Sequence, residues 1–448
     1  MYLNEMHKQV RDMTRQFAND VIRPLAEELD RDSRFPAEIY DQMAELGLFG
    51  IGVPEELGGP GFDTVTYAIV MEELSRGYAS IADQCGLIEL VSSLLVCHGS
   101  DAQQEKWLSG LLRAKIRPAY CITEPEAGTD VSGIRTTAVR DGDGWVLNGG
   151  KIWIHNAPIA DIGFVLARTD PEAGHRGMSI FIVDLHADGV MRGPKEIKMG
   201  QRASQVGPLS FDDVRLSPDA LLGTEGRGFH MMMSVLDKGR VGIGALAVGI
   251  GQAGLEAATE YAQQRKQFKK PISEFQGVQW LLADIAKDVE AARLLVHSAA
   301  SKIDTGQDAT RACSMAKCFA GDMAVVRSAD AVQVFGGSGY IRGFEFQYQY
   351  LYKLLSLNLN YNSLIGVDLE NNDHLSNIPA DKLTSNISLR FLDDEYNVSF
   401  RNIYYFQQNR IPKNSSRENT QESSVYDIYS NWNPSKFKKK VILRFAIN

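Results

Sequence analysis

Apolar positions along this chain change their spacing at three places, and each change marks a boundary. Through residues 1–117 they recur three and four apart, as in Phe17-Val21-Ile22-Leu25 and Ile39-Met43-Leu46, the repeat that lines one face of a helix. Phe35-Pro36 and the glycine-rich run from Val53 to Gly61 interrupt that repeat as loops, and apolar stretches over 64–74 and 81–95 resume it. From Pro118 the spacing becomes two. Residues 145–148, 151–154, 164–168 and 178–183 read as short strands separated by Asp-Gly, Asn-Gly-Gly and other Gly-rich turns, and 210–216 closes the series. After Gly228 the helical repeat returns in three long segments, about 229–264, 274–304 and 307–335, rich in Ala, Leu, Met and Val. The pattern predicts an α+β fold: an N-terminal helical domain over 1–117, a middle antiparallel β-barrel over 118–228 and a C-terminal helical bundle over 229–345. Beyond that the composition shifts to Asn, Ser, Tyr and Ile, and a period of two reappears in 386–391, 396–406 and 440–447, with Asp-Asp and Asn-Pro turns between. The segment 346–448 is set apart as a tail.

Composition changes this picture little. A chain of 448 residues with 44% hydrophobic content has room for two or three domains with real cores. A net charge of -9 argues against nucleic acid as a partner, whose footprint is a basic face. Five cysteines without repeated spacing read as reduced thiols, which places the protein in the cytoplasm as an expectation. Cys313 and Cys318 are read as helix-core residues rather than metal ligands, since no partner follows at ligand spacing, and no metal is expected. The first ten residues are polar, with no apolar stretch behind them to suggest a signal peptide, and no run approaches ~20 apolar residues, so 1–345 is not expected in a membrane.

Two stretches carry candidate chemistry. Tyr120-Cys-Ile-Thr-Glu-Pro-Glu-Ala-Gly-Thr-Asp130 and Lys151-Ile-Trp-Ile-His-Asn156 each set small or hydroxyl residues and a flat aromatic where a strand gives way to a loop. That arrangement suits a planar, anionic cofactor, and it equally suits the closing of a β-barrel. Trp153 is either a stacking surface or core, and His155 either faces solvent or donates to a ligand. Gly249-Ile-Gly251-Gln-Ala-Gly254 matches a dinucleotide fingerprint, with Glu274 at the distance of its ribose-binding acid. It sits inside one helical run, so helix packing through small residues is the better reading.

Six motifs in order resemble the acyl-CoA dehydrogenase family: Pro54-Glu-Glu-Leu-Gly-Gly, Thr123-Glu-Pro-Glu-Ala-Gly-Thr-Asp-Val, Lys151-Ile-Trp-Ile, Phe211-Asp-Asp-Val-Arg, Arg265-Lys-Gln-Phe and Gln333-Val-Phe-Gly-Gly-Ser-Gly-Tyr-Ile-Arg-Gly. The resemblance runs from the N-terminus to about Glu345 and implies an FAD-dependent oxidation of an acyl-CoA at its α and β carbons. It implies that Tyr120, Cys121, Ile122, Thr123 and Gly128 line the flavin, and that Trp153, Ile154 and His155 form the facing edge. At position 155 the family usually has Thr or Ser bonding flavin N5. Arg265, Gln267 and Phe268 would reach the FAD pyrophosphate, commonly from a neighbouring subunit, with Phe275 and Gln276 nearby and Gln333, Gly336 and Gly337 cradling the adenosine half. A solvated charge run is the other reading of Arg265, Lys266, Lys269 and Lys270. Thr129, Asp237 and Arg240 would contact substrate. Electron-transfer flavoprotein as acceptor and a homotetramer or dimer are further implications.

The resemblance also exposes a gap. Most of the family carries its catalytic glutamate in a Tyr-Glu-Gly-Thr segment that this chain lacks, and a minority carries it just before the arginine, where this chain has Gly239. The catalytic residue is therefore unassigned. The tail resembles the closing strands of an outer-membrane barrel, more specifically a TonB-dependent receptor. A foreign tail joined by rearrangement or misassembly and a divergent C-terminus that rebuilds the missing helix both remain open. The readings carried forward are a dehydrogenase impaired by this gap, a catalytically silent FAD or acyl-CoA binding protein, and a membrane-receptor fragment supported by the tail alone.

Overall fold

The computed structural model describes residues 3–339 and, beyond them, strand residues 341–352, 355–368, 373–374, 382–391, 396–405, 423–432 and 441–447. Tyr340 and the expected turns at Asp393-Asp394 and Asn433-Pro434 lie outside the described residues. The chain divides into two compact units, Met1–Ala331 and Val332–Asn448.

The first unit opens with α1 (Glu5–Phe17), a π-helical turn, α2 (Arg23–Arg31), α3 (Ala37–Glu45), α4 (Thr64–Gly77), α5 (Ala79–His98) and α6 (Asp101–Leu112). Asn4, Asp63 and Ser100 cap α1, α4 and α6 through their side-chain oxygens, satisfying amides that a helix start leaves unpaired. Helix α4 is buried around its whole circumference from Thr64 to Arg76. Its three charged side chains each meet a partner from another helix: Glu73 takes Arg15 of α1 at 2.6 Å, and Glu72 takes Arg293 at 2.9 Å. Arg76 meets Glu256 at 2.8 Å. An unpaired charge there would cost several kcal/mol, on the order of 3–5.

The middle region contributes β1 (Pro118–Cys121), β2 (Thr137–Asp141), β3 (Gly144–His155), β4 (Ile162–Arg168), β5 (Met178–Asp184), β6 (Val190–Arg192), β7 (Val206–Leu216) and β8 (Leu221–Leu222). They form one sheet in the order β6-β7-β3-β2-β4-β5-β8, with β1 also on β4. The expected antiparallel pairing holds except that β1 and β2 run parallel to β4. The two strands expected at 145–148 and 151–154 are one strand, β3, with two irregularities against β7. Strands β4 and β5 are buried on both faces, so their sequences read as nearly continuous apolar runs rather than alternating ones. Trp145 and Phe181 meet edge to face at 5.2 Å in the core this sheet encloses.

Then come α7 (Gly228–Ser234), α8 (Leu236–Gln264), the hairpin β9 (Lys266–Gln267) and β10 (Lys270–Pro271), α9 (Gln276–Asp304) and α10 (Thr310–Phe335). Helix α8 packs along α4, α5 and α9. A Cβ at Gly249 would lie 2.3 Å from the Glu72 carbonyl oxygen, and one at Gly242 would lie 2.0 Å from the Tyr67 hydroxyl. The dinucleotide-like glycines are thus a seam of close helix contact. Helix α5 and the run Gly228–Gln264 are long and apolar enough to cross a membrane, contrary to the expectation from sequence, yet most of each is buried among its neighbours. Cys313 is buried, whereas Cys318 is exposed, so the core reading fails for Cys318. Five helical residues turn about 500°, which sets the two cysteines on different faces.

The second unit holds β11 (Ile341–Tyr352), β12 (Leu355–Asp368), β13 (Asp373–His374), β14 (Lys382–Phe391), β15 (Tyr396–Tyr405), β16 (Ser423–Trp432) and β17 (Val441–Ile447). They pair antiparallel as β11-β12-β14-β15-β16-β17, with β13 on β12. The register aligns Tyr350, Leu357, Ile387, Phe400, Ile428 and Phe445 in one row. The adjacent row is Gln349, Asn358, Asn386, Arg401, Asp427 and Ala446.

Candidate active site

The two stretches singled out from the sequence meet. The Ile152 amide donates to the Thr123 carbonyl at 3.0 Å, stitching the end of β1 to β3. Beneath that bond lies Lys151, wholly buried, whose Nζ donates to the Ile122 carbonyl at 2.9 Å and to Glu124 Oε1 at 2.7 Å. Glu124 also accepts from the Arg135 amide at 2.5 Å and the Thr136 amide at 3.0 Å. Burial alone would raise the Glu124 carboxyl, but the lysine and these amides outweigh it and hold it below its ordinary range. Burial pulls Lys151 down from its ordinary value, against the opposing pull of Glu124. The loop from 122 to 124 is therefore pinned by Lys151 and by the 135–136 amides.

Strand β3 then gains one residue on β7, because Lys151 pairs with Leu209 and Ile154 with Gly207. This bulge places Trp153 in the left-handed region at φ 58°, a conformation costly to a bulky residue. Trp153 is 61% exposed, so it is not core. Ile154 and Cys121 turn their side chains into the β-sheet core, at 3% and 0% exposure, so only their backbones remain for a cofactor. Tyr120 donates its hydroxyl to the Met232 carbonyl at 3.1 Å and is committed to packing against α7. Thr123 and Ile122 are half-buried at the rim; Gly128 and Thr129 are exposed, and a Cβ at Gly128 would meet nothing within 4 Å.

His155 does not face open solvent. Its Nε2 lies 2.9 Å from Gln84 Nε2 and 3.3 Å from Asp83 Oδ2, both on α5. Burial lowers its pKa, with Asp83 opposing and Lys198 adding to the shift. Its Nδ1 has no hydrogen-bond partner among the described residues. Sequence reasoning missed Asp83, Gln84, Glu124 and Lys151 as supports of this wall. A polar Asp-Gln pair inside the apolar run of α5 was the available signal for the first two.

The remaining predicted residues lie elsewhere. Asp237 and Arg240 are ion-paired to each other near the start of α8, and Thr310 donates to Asp237, so Arg240 is already engaged. Gly239 lies between them on the same helix, where a Cβ would meet only the Leu90 side chain, at 3.2 Å. Arg265, Gln267 and Phe268 sit at the β9–β10 hairpin, all exposed, with Phe268 edge-on to Phe275 at 5.9 Å and with Phe268 and Lys269 both at positive φ. Gln276 begins α9 and is exposed. Gln333, near the end of α10, and Gly336 and Gly337, in the short turn after it, belong to the second unit.

A flat aromatic held out to solvent at a conformational cost, an open ring nitrogen beside it and a loop rim of hydroxyl and glycine backbone fit the flat ring of a flavin. Two helical regions around a middle β-domain with such a wall define a flavoprotein fold. The N-terminal, middle and C-terminal domain families of acyl-CoA dehydrogenase match residues 4–115, 119–214 and 226–354, so the chain belongs to the acyl-CoA dehydrogenase family, FAD-dependent oxidoreductases acting on CH–CH bonds. The C-terminal match extends past the limit near 345 read from motifs. The 3-(aryl)acrylate reductase of Clostridium sporogenes is 40% identical over 347 residues, 77% of this chain and 92% of the relative. The CarC subunit of the caffeyl-CoA reductase–Etf complex of Acetobacterium woodii is 40% identical over 348 residues, again 77% and 92%. Among solved structures, butyryl-CoA dehydrogenase from Megasphaera elsdenii superposes with a TM-score of 0.74 at 37% identity, covering 76% of this chain and 90% of that one.

Proposed function

We propose that residues 1–345 bind FAD and an acyl-CoA thioester for α,β-dehydrogenation, with turnover impaired in this chain because the catalytic carboxylate is missing. The observation carrying the first half is the wall itself, in which Thr123 and Ile152 are joined backbone to backbone under an exposed, strained Trp153. FAD, when bound, supplies a two-electron acceptor for the β-hydride at its N5. The chain's own residues hold it: Trp153 stacks, the Thr123 rim meets the polar edge, His155 serves N5, and Arg265 offers a planar fork to phosphate. The α-proton needs a base in a dry pocket, a role typically worth ~10²–10⁴ in rate, and Gly239 offers none. The sequence's lack of a Tyr-Glu-Gly-Thr segment supports the same conclusion. The relatives' names support electron-transfer flavoprotein as redox partner and leave the physiological direction open to reduction. A homotetramer or dimer and a cytoplasmic location complete the reading.

The test is anaerobic addition of butyryl-CoA to FAD-loaded protein. The chain is expected to be yellow and to stay yellow, whereas Gly239→Glu, whose Cβ would meet only a Leu90 methyl at 3.2 Å, is expected to bleach. Failure to take up FAD overturns the cofactor reading, and bleaching by the unsubstituted chain overturns the impairment.

For the tail, the aligned apolar and polar rows favour a separate reading, a piece of membrane-barrel wall of the TonB-dependent receptor kind, carried on a dehydrogenase as a fusion. Pelleting of the full chain with lipid vesicles, absent for a chain ending at residue 345, is the outcome expected of it.

A further inference from the structure

His155 is held between a donor and an acceptor on α5. Gln84 Nε2 donates to Asn156 Oδ1 at 3.0 Å while Asn156 Nδ2 donates back to Gln84 Oε1 at 2.9 Å. This reciprocal amide pair turns the second Gln84 N–H toward His155 Nε2, 2.9 Å away. An imidazole nitrogen that receives an N–H is the unprotonated one. The ring is neutral near pH 7, because burial lowers its pKa. Its proton therefore sits on Nδ1, the nitrogen with no partner among the described residues, and Nδ1 is a donor.

The same surroundings accommodate the opposite tautomer. The reciprocal Gln84–Asn156 amide pair keeps both its hydrogen bonds if the two amides turn over together, which presents Gln84 Oε1 instead of Nε2 to the ring as the acceptor of an Nε2–H. The Asp83 carboxylate, 3.3 Å from Nε2 and fixed by the Ser204 hydroxyl at 2.9 Å, favours that tautomer through its field. Lys198 is the other charged group whose field reaches the ring, and it disfavours full protonation. With the proton on Nε2, Nδ1 becomes an acceptor. A hydroxyl achieves the same reversal by rotating; an imidazole must move a proton.

We propose that His155 is a two-way hydrogen-bonding residue for the flavin edge, donating from Nδ1 to an unprotonated N5 and accepting there from a protonated one, with the Gln84 amide, in its two orientations, supporting the two tautomers in turn. The inference rests on the reading of the 120–156 wall as the flavin side. One proton leaves Nδ1 and one arrives at Nε2 by exchange with water, so the residue's net charge does not change. Asp83, Gln84 and Asn156 are positioning residues in this scheme.

The experiment is long-range ¹H–¹⁵N correlation spectroscopy of histidine-labelled protein, with the His155 signal assigned by its loss in His155→Thr. Three samples are compared: FAD-free, FAD-loaded, and FAD-loaded after dithionite reduction. The expected result is an Nδ1–H ring with oxidised FAD and an Nε2–H ring after reduction. Asp83→Ala, which removes the field favouring Nε2–H, is expected to shift the reduced-to-oxidised flavin ratio at fixed potential toward oxidised, by about fivefold at most, the worth of one neutral hydrogen bond. His155 signals that respond to FAD but keep one tautomer in both redox states overturn the proposal while leaving the wall assignment standing. Signals indifferent to FAD overturn both. The wild-type comparison decides the matter even where Asp83→Ala does not fold.

Discussion

Lys151 shows how one side chain shapes the site without meeting a ligand. It is wholly buried and binds both Glu124 and the Ile122 carbonyl, so removing its charge strands a carboxylate that already holds two amides. Lys151→Met is expected to cost about 3–5 kcal/mol in denaturant unfolding and to weaken FAD binding through the displaced 122–124 loop. His297 makes a cleaner pH prediction. It is 6% exposed on α9, its Nε2 has no hydrogen-bond partner among the described residues, and burial, aided by Arg293, lowers its pKa to about 4. The unfolded chain takes up that proton near the ordinary value of 6.5 and the folded chain only near 4. Stability is thus expected to decline as pH falls through that window, by up to about 3 kcal/mol, and His297→Leu should flatten this limb in thermal melts taken from pH 7 to pH 4. At this scale the local motifs singled out Thr123, Trp153 and His155, which the structure brings to one rim. The sequence concealed Gln84 and Glu124, because their roles arise from partners 72 and 27 residues away, respectively.

Among the elements, β3 carries the most chemistry for its length. The bulge at Trp153 holds a large, exposed residue at φ 58°, an arrangement that folding alone does not favour. Trp153→Gly is expected to raise the stability of FAD-free protein by about 1 kcal/mol while reducing FAD affinity at least tenfold, measured by melting and by flavin fluorescence quenching. No change in either would separate the bulge from the cofactor. Helix identities were legible from the helical repeat of α1, α3 and the long helices after Gly228, and strand identities from the alternation in β7 and the short apolar runs of β4 and β5 bounded by turn signals. The bulge was not, since one extra residue leaves the composition of Lys151-Ile-Trp-Ile unaltered. The parallel pairing of β1 and β2 with β4 was equally hidden, because pairing direction depends on connections rather than on pattern.

The whole molecule joins two units of different character. Helices and the middle sheet of the first are tied by buried ion pairs from α4 and by the amide pair between α5 and β3. Strands β11 and β17 end the second unit's sheet, and among the described residues neither has a further neighbour, which leaves backbone groups ready to pair with another chain. Limited proteolysis is expected to release a core ending near residue 350 that keeps its FAD, and this core should aggregate less than the full chain. Loss of FAD on release, or resistance of the 340–360 region to cleavage, would instead favour a tail integral to the enzyme. The seam of glycines on α8 has a further bearing on how this protein can change. At Gly242 and Gly249 any side chain collides with α4, so inheritance can scarcely alter them. Gly239, on the same helix, meets only a yielding leucine. A single base change turns any glycine codon into one for aspartate or glutamate, so the lineage of this chain lies one mutational step from a carboxylate at a position whose Cβ would meet no backbone of another element.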